Sequence, residues 1–304
     1  MTNKSAEQKP SETALFAALR RAIAYKEYKN EKFGPDHLAE YFLPAHFRFF
    51  LRFNKIRANT KNKLARFFPG MNEYMIARTV YFDRLFVEAL ETKTPQIVLL
   101  GAGYDSRAYR FAKLNLDTMI FELDAAPTQN RKKKCLKAAR IDIPPQVKFL
   151  PVDFNKESLQ DVLEKTSYTQ EEKTLFVWEG VTYYLDPQSV DATLEFVSLS
   201  TKDSSIAFDY MVTLGVENRD QYYGAKEFAQ AMQEQHATEE LTFSIEEGIV
   251  ETFLAQRNLT LIEHLSNEEI EQTYLLDAYG ALIGQIIGFM RFGVASPTPS
   301  ATVS

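Results

Sequence analysis

The chain has 304 residues, 45% of them hydrophobic and 25% charged, with 35 Lys and Arg against 41 Asp and Glu for a formal net charge of −6. That length suits one α/β domain with extensions, and the acidic balance weighs against a nucleic-acid reader, which carries basic surface. A lone cysteine, Cys135, excludes an internal disulfide, and four scattered histidines offer no metal-ligand spacing, so no metal is expected.

The opening "MTNKSAEQKPSE" is polar, lacks the apolar core of a secretory signal, and is expected to be disordered over residues 1–12. No apolar run is long enough to span a bilayer, so a cytoplasmic protein without membrane or nucleic-acid partners is expected. Residues 13–92 read as a helical cap. "TALFAALRRAIAY" has apolar residues at helical spacing, and "PDHLAEYFL" opens with a proline and an acid, a helix-starting pattern. After Pro69-Gly70, "MNEYMIARTVYFDRLFVEAL" reads as a long amphipathic helix with Met75, Ile76, Val80, Leu85 and Phe86 on its buried side.

From Pro95 the pattern changes to short apolar runs separated by helical segments. "QIVLLGAG" ends in glycines, "DTMIFELD" in two carboxylates, "QVKFLPVD" in an aspartate and "KTLFVWEG" in a glutamate; "SSIAFDY" is a fifth run. Strands alternating with helices predict a mostly parallel sheet covered on both faces, here a cofactor-binding core over 93–212. Residues 213–258 read as a helical insertion, with "FSIEEGIVETFLAQRN" as one helix. Residues 259–296 hold two late strands, "LTLIEHLS" and "IIGFMRFGVAS", expected at an antiparallel edge of the same sheet, and 297–304 form a disordered tail. The basic run Arg131 to Lys134 is expected on the solvated face of a helix.

In an open α/β sheet, ligands bind beyond the carboxyl ends of the strands. Four successive strands end here in Gly101 and Gly103, in Glu122 and Asp124, in Asp153, and in Glu179. The glycines permit a tight turn and close approach of a ligand to backbone. Asp124 lies where a carboxylate accepts hydrogen bonds from ribose hydroxyls, while Glu122, two residues before the strand end, is set aside in its favour. Asp153 suits an adenine amino group with Phe154 beside it, and Glu179 suits a cationic end. The third glycine of the dinucleotide fingerprint is absent, Ser106 standing in its place, which weighs against a pyrophosphate. Arg78 is a candidate grip for a carboxylate. Arg107 and Arg110 are expected to brace the glycine turn.

"IVLLGAGYDSRAYRF" resembles the glycine motif of the leucine carboxyl methyltransferase family. "YMIARTVYFD", "FELD", "PVDF" and "WEGVTYYL" resemble, in order, its upstream arginine segment, ribose-binding strand end, adenine-side Asp-Leu and Glu-x-Val-x-x-Tyr stretch. "SETALFAALRRA" and "PDHLAEYFL" resemble the opening segments of its bacterial branch. The resemblance implies a class I S-adenosylmethionine-dependent O-methyltransferase: a Rossmann-like, mostly parallel seven-stranded sheet with helices on both faces and an N-terminal helical cap. It implies that Arg78 holds the methionine carboxylate, Gly101 and Gly103 lie against S-adenosyl-L-methionine, and Asp124 binds its ribose. Asp153 and Phe154 would flank the adenine, Glu179 would lie near the methionine amino group, and Tyr184 would face the transfer site. The chain departs from the family in having Phe154 for the usual leucine and a later proline after "ELD".

The expected acceptor is a carboxylate or hydroxyl of a small molecule or a protein C-terminus, and the expected assembly a monomer or weak homodimer. A nicotinamide-dependent oxidoreductase and a non-catalytic S-adenosylmethionine binder are the alternatives.

Overall fold

The computed structural model describes residues 9–29, 32–154, 156–234 and 240–299. The first eight residues and the last five, where disordered tails were expected, lie outside the described residues.

The helices in chain order are α1 (Glu12–Tyr28), α2 (Ala45–Phe50), α3 (Asn54–Phe67), α4 (Met71–Glu91), α5 (Arg107–Arg110), α6 (Ala126–Ala139), α7 (Leu159–Leu163), α8 (Pro187–Ser198), α9 (Ala225–Glu234), α10 (Val250–Ala255) and α11 (Asn267–Tyr274). The strands are β1 (Gln96–Leu100), β2 (Met119–Asp124), β3 (Val147–Pro151), β4 (Thr174–Trp178), β5 (Ser205–Met211), β6 (Leu259–Leu265) and β7 (Met290–Pro297). They form one sheet in the order β3-β2-β1-β4-β5-β7-β6. The first five strands run parallel. β7 enters antiparallel between β5 and β6. The late strands thus lie at one side of the sheet, but only β6 is an edge; β7 is interior, and its residues are nearly all buried.

β1 and β4 are buried at every position, as strands covered on both faces must be. The strand order reverses between β1 and β4, which opens a crevice at their carboxyl ends, where Gly101 and Glu179 follow.

α4 departs from the expected amphipathic pattern. Met75, Ile76 and Phe86 are buried, Val80 and Leu85 only half so, and Tyr74, Arg78, Tyr81, Phe82 and Asp83 are buried as well. The helix packs against α1, α3 and α11 as well as β4, so it has little wet face to leave polar. "PDHLAEYFL" forms only a 3₁₀ turn over Ala39–Phe42, because the Asp36 carboxylate turns back to accept from the Leu38 N–H at 3.1 Å. "FSIEEGIVETFLAQRN" is helical only over Val250–Ala255; Ile245 instead makes a parallel bridge to Val212, extending β5's hydrogen bonding.

The basic run on α6 is not wholly solvated. Lys132 is buried and its Nζ donates to Glu122 Oε2 at 2.7 Å, with Tyr109 OH on the other oxygen at 2.9 Å. Glu122 is thereby consumed inside the protein. Burial pushes its pKa up, against the pull of Lys132.

Candidate active site

Two glycines shape the turn after β1. Gly101 has φ +69°, and a Cβ there would lie 2.4 Å from Val181 Cγ2; Gly103 has φ +44° and faces Ala14 at the start of α1. Ser11 caps that helix by accepting from Ala14 N, which lays its first turn over the glycine loop. The Asp124 carboxylate accepts from Gly103 N at 2.5 Å. It does not cap α6, whose N-cap residue is Ala125 with no side-chain hydrogen bond. The strand end of β2 and the glycine turn are therefore fixed to one another.

Ser106, at the place of the missing third glycine, is buried and has a structural task. Its hydroxyl donates to Asp36 Oδ1 at 2.8 Å and accepts from Arg110 Nε at 2.8 Å. Arg110 makes a two-pronged contact with Asp83 of α4, 2.7 and 2.6 Å. Arg107 donates to Asp83 at 2.8 Å and to Asp105 at 2.5 Å, and lies 2.7 Å from Glu179 Oε2. Asp36 also accepts from Arg21 at 2.9 Å. Burial would raise the Asp36 pKa, but Arg110 and Arg21, helped by Ser106, more than offset it and hold the carboxyl below its usual range.

Arg78 sits at the centre of a second network. Its Nε is 3.0 Å from Glu179 Oε1 and its Nη1 3.3 Å from Asp209 Oδ2 and 3.4 Å from Tyr183 OH. The guanidinium lies against Gly180, where a Cβ would come within 2.9 Å of Nη1. Gly180 N donates to the other oxygen of Asp209 at 2.6 Å, and Tyr74 OH also donates to Asp209. Burial alone would lower the Arg78 pKa; Glu179, then Tyr183, Tyr74 and Asp209, reverse that and hold it charged. Among the described residues, Nη2 has no hydrogen-bond partner.

Arg78, Gly101, Gly103, Asp124, Asp153, Phe154, Glu179 and Tyr184 all line one cavity of about 1270 Å³. That volume lies above the usual range for small-molecule pockets, about 300 to 1,000 Å³. Asp153 sits at its rim, a third exposed, with Lys156 Nζ at 2.8 Å; α7 is capped by Ser158 instead. Phe154 is half-buried beside it. The Tyr184 ring packs edge-on to Tyr183, 4.7 Å between centroids.

Residues without a sequence signal complete the site. Asp209, Tyr74 and Tyr183 fix Arg78, and Asp36 and Asp83 fix the arginines of α5. In "SSIAFDY" an acid stands within an otherwise apolar central strand, which is the sequence clue to Asp209. Arg20 was also missed. It lines the cavity, is buried, and has no hydrogen bond or counter-ion among the described residues; its Nε is buried without a partner. Its guanidinium rests 5.8 Å from the Phe68 ring centroid. Burial, and then the like charge of Arg78, push its pKa down to about 10.

Comparison with known proteins gives this geometry a family. The chain matches the leucine carboxyl methyltransferase family over residues 14–198. It is 30% identical over 205 residues to a Bacillus subtilis protein named "Putative S-adenosyl-L-methionine-dependent methyltransferase YktD", covering 66% of this chain and 65% of that one. It is 35% identical over 143 residues to a Mycolicibacterium gilvum protein with the same description, covering 46% and 56%. The chain thus spans between about half and 65% of the length of these curated relatives. Among solved structures, a "putative methyltransferase" from Thermobifida fusca superposes with a TM-score of 0.61 at 14% identity, over 96% of both chains. A Streptomyces avermitilis protein superposes at 0.55 and 13% identity, over 80% and 90%. The fold is that of the class I methyltransferases. With more than half of its residues matched, the chain belongs to the leucine carboxyl methyltransferase family.

Proposed function

We propose that the protein is an S-adenosylmethionine-dependent O-methyltransferase acting on a carboxylate or hydroxyl acceptor. The observation that carries this reading is the convergence of Arg78, Gly101, Gly103, Asp124, Asp153, Phe154 and Glu179 on one cavity at the carboxyl ends of β1 to β4. The names of the matched relatives point the same way, and nothing comparable supports a nicotinamide-dependent oxidoreductase.

The residues fit the cofactor. Arg78 lines the cavity with the Glu179 and Asp209 carboxylates beside its Nε and Nη1, so its guanidinium is placed to grip a methionine carboxylate. Asp124, anchored through Gly103 N, presents its carboxylate for ribose hydroxyls. Asp153 and Phe154 offer an acceptor and an apolar face for adenine. Glu179 supplies negative charge near the amino group while answering Arg78 and Arg107.

The cofactor, when bound, supplies a sulfonium-borne methyl group that passes to an acceptor oxygen while the electron pair of the broken S–C bond returns to sulfur. A carboxylate acceptor is ionised at neutral pH and needs no base, so the protein's part is positioning and exclusion of water. Arg20, an unpaired guanidinium in the same cavity, suits an anionic group of the acceptor. Tyr184 would border the reacting oxygen, and for a hydroxyl acceptor would have to help remove its proton.

Calorimetry with S-adenosylmethionine tests the cofactor assignment: wild type binds and Asp124→Ala binds at least tenfold more weakly. Absent binding by wild type, or undiminished binding by the variant, overturns it. A methyl-transfer assay over a panel of carboxylic acids and phenols then separates an enzyme from a non-catalytic binder.

A further inference from the structure

Residues 45–68 contain seven Lys and Arg and no Asp or Glu, within a chain of net charge −6. They form α2, α3 and the corner between them, and neither helix buries a single residue. Leu51, at the corner, is buried and pegs the segment to the body of the protein. Around it Phe49 is 53% exposed, Phe50 46%, Phe53 48% and Ile56 40%. Phe49 packs edge-on against both Phe50 and Phe53, with centroids 5.8 and 5.4 Å apart, so the rings form one patch. Of the seven cations, Lys61 alone has a carboxylate partner among the described residues, Glu27 at 2.8 Å. Among the described residues the rings stay about half exposed and six of the seven cations have no carboxylate partner.

We propose that α2 and α3 dock on a bilayer surface bearing anionic lipid. A short helical segment that combines unburied phenylalanines with a cluster of unpaired Lys and Arg has the composition of an interfacial anchor. Its cations meet the lipid phosphates while its rings enter the headgroup boundary. An exposed apolar patch of this kind is otherwise a liability in water. The acidic remainder of the chain would be repelled by the same surface, which fixes the orientation: α2 and α3 toward the lipid, the sheet away from it. A nucleic acid is the less fitting occupant, because rings that pack edge-on to one another do not offer the open faces on which bases stack. The same segment borders the cavity: Phe47, Lys63 and Phe67 are exposed and also line it. The docked face is thus next to a cavity entrance. This is surface docking only; no helix among the described residues is long and apolar enough to cross a membrane.

Vesicle flotation tests it without reference to activity. The full chain is mixed with vesicles of phosphatidylcholine containing about one third phosphatidylglycerol, or of phosphatidylcholine alone. We expect binding to the anionic vesicles at least tenfold tighter than to the neutral ones, and substantially weakened by 0.5 M NaCl. Phe49→Ser with Phe53→Ser, and separately Arg52→Glu with Lys55→Glu, should each lower it at least tenfold while the thermal melt stays within a few degrees of wild type. No binding to anionic vesicles, or equal binding by both folded variants, overturns the proposal. So does a concentration-dependent dimer that the phenylalanine variants abolish, which would make a second copy the occupant. Binding to a single-stranded RNA oligonucleotide as tight as to the vesicles also overturns it.

Discussion

Glu179 and Arg78 join the end of β4 to the middle of α4, with Oε1 3.0 Å from Nε, while the other carboxylate oxygen lies 2.7 Å from Arg107 Nη1. One carboxylate therefore holds both the arginine aimed at the cavity and the arginine that ties α5 to α4. Removing it leaves two buried guanidiniums short of countercharge, a change that costs about 3–5 kcal/mol for a buried pair. Glu179→Ala should lower the urea midpoint accordingly and weaken S-adenosylhomocysteine binding at least tenfold by calorimetry. A variant with wild-type stability would show that Asp209 and Asp83 alone suffice.

Gly101 faces two constraints at once, a positive φ and the Val181 methyl 2.4 Å from where its Cβ would be. Gly101→Ala should destabilise by about 2–4 kcal/mol, combining left-handed backbone strain with overpacking. Adding Val181→Ala should recover the steric part and leave the backbone part. Urea melts of the single and double variants measure both, and a double variant no better than the single assigns the whole cost to φ.

Arg20 lines the cavity with no hydrogen-bond partner for its guanidinium among the described residues. Arg20→Met should raise Tm by about 2–6 °C, since an unsatisfied buried polar group costs about 1–3 kcal/mol. The same variant should lose turnover on an anionic acceptor while keeping cofactor affinity within about threefold. A lower Tm would mean that Arg20 contributes to the fold through its contact with Phe68.

Asp36 gives the pH dependence a definite sign. Its folded pKa lies below the ordinary value of about 3.9, so its contribution is fully present above that pH and is lost as pH falls through the folded value. Asp36→Asn should cost about 2–4 kcal/mol at pH 7, with Asp83 still pairing Arg110. The gap between wild type and variant should narrow below about pH 4. Denaturant titrations at pH 7, 5 and 3 check this, and a gap constant with pH would assign Asp36 a purely steric role.

The first four strands were legible because each is a short run ended by a glycine or an acid, and a strand such as β1 or β4, buried on both faces, needs little else. Ser106 stood out in the sequence only as the absent third glycine; its bonds to Asp36 and Arg110 depend on residues brought together from α5 and a segment seventy positions earlier. Asp209, and the pairing of Asp83 with Arg107 and Arg110, escaped notice for the same reason: a buried acid is informative only once its arginine is known. The bounds of the short helices α2, α7 and α10 were illegible because periodicity needs more than a turn or two to declare itself. Lys132 shows the converse error, a cation counted with its solvated neighbours although the fold turns it inward onto Glu122.

The placement of β7 bears on how the chain is assembled in time. It is the last strand in sequence but sits between β5 and β6, so β6 has no neighbour in the sheet until residues 290–297 arrive. During synthesis the parallel half can gather early, whereas β5 must wait with one edge bare and β6 with no partner at all. A chain cut before Met290 would carry an open, apolar sheet edge and should be captured by chaperones or aggregate, however intact the cavity residues on β1 to β4. The final insertion of β7 acts as a latch that joins β6 to the nascent sheet and covers the bare edge of β5.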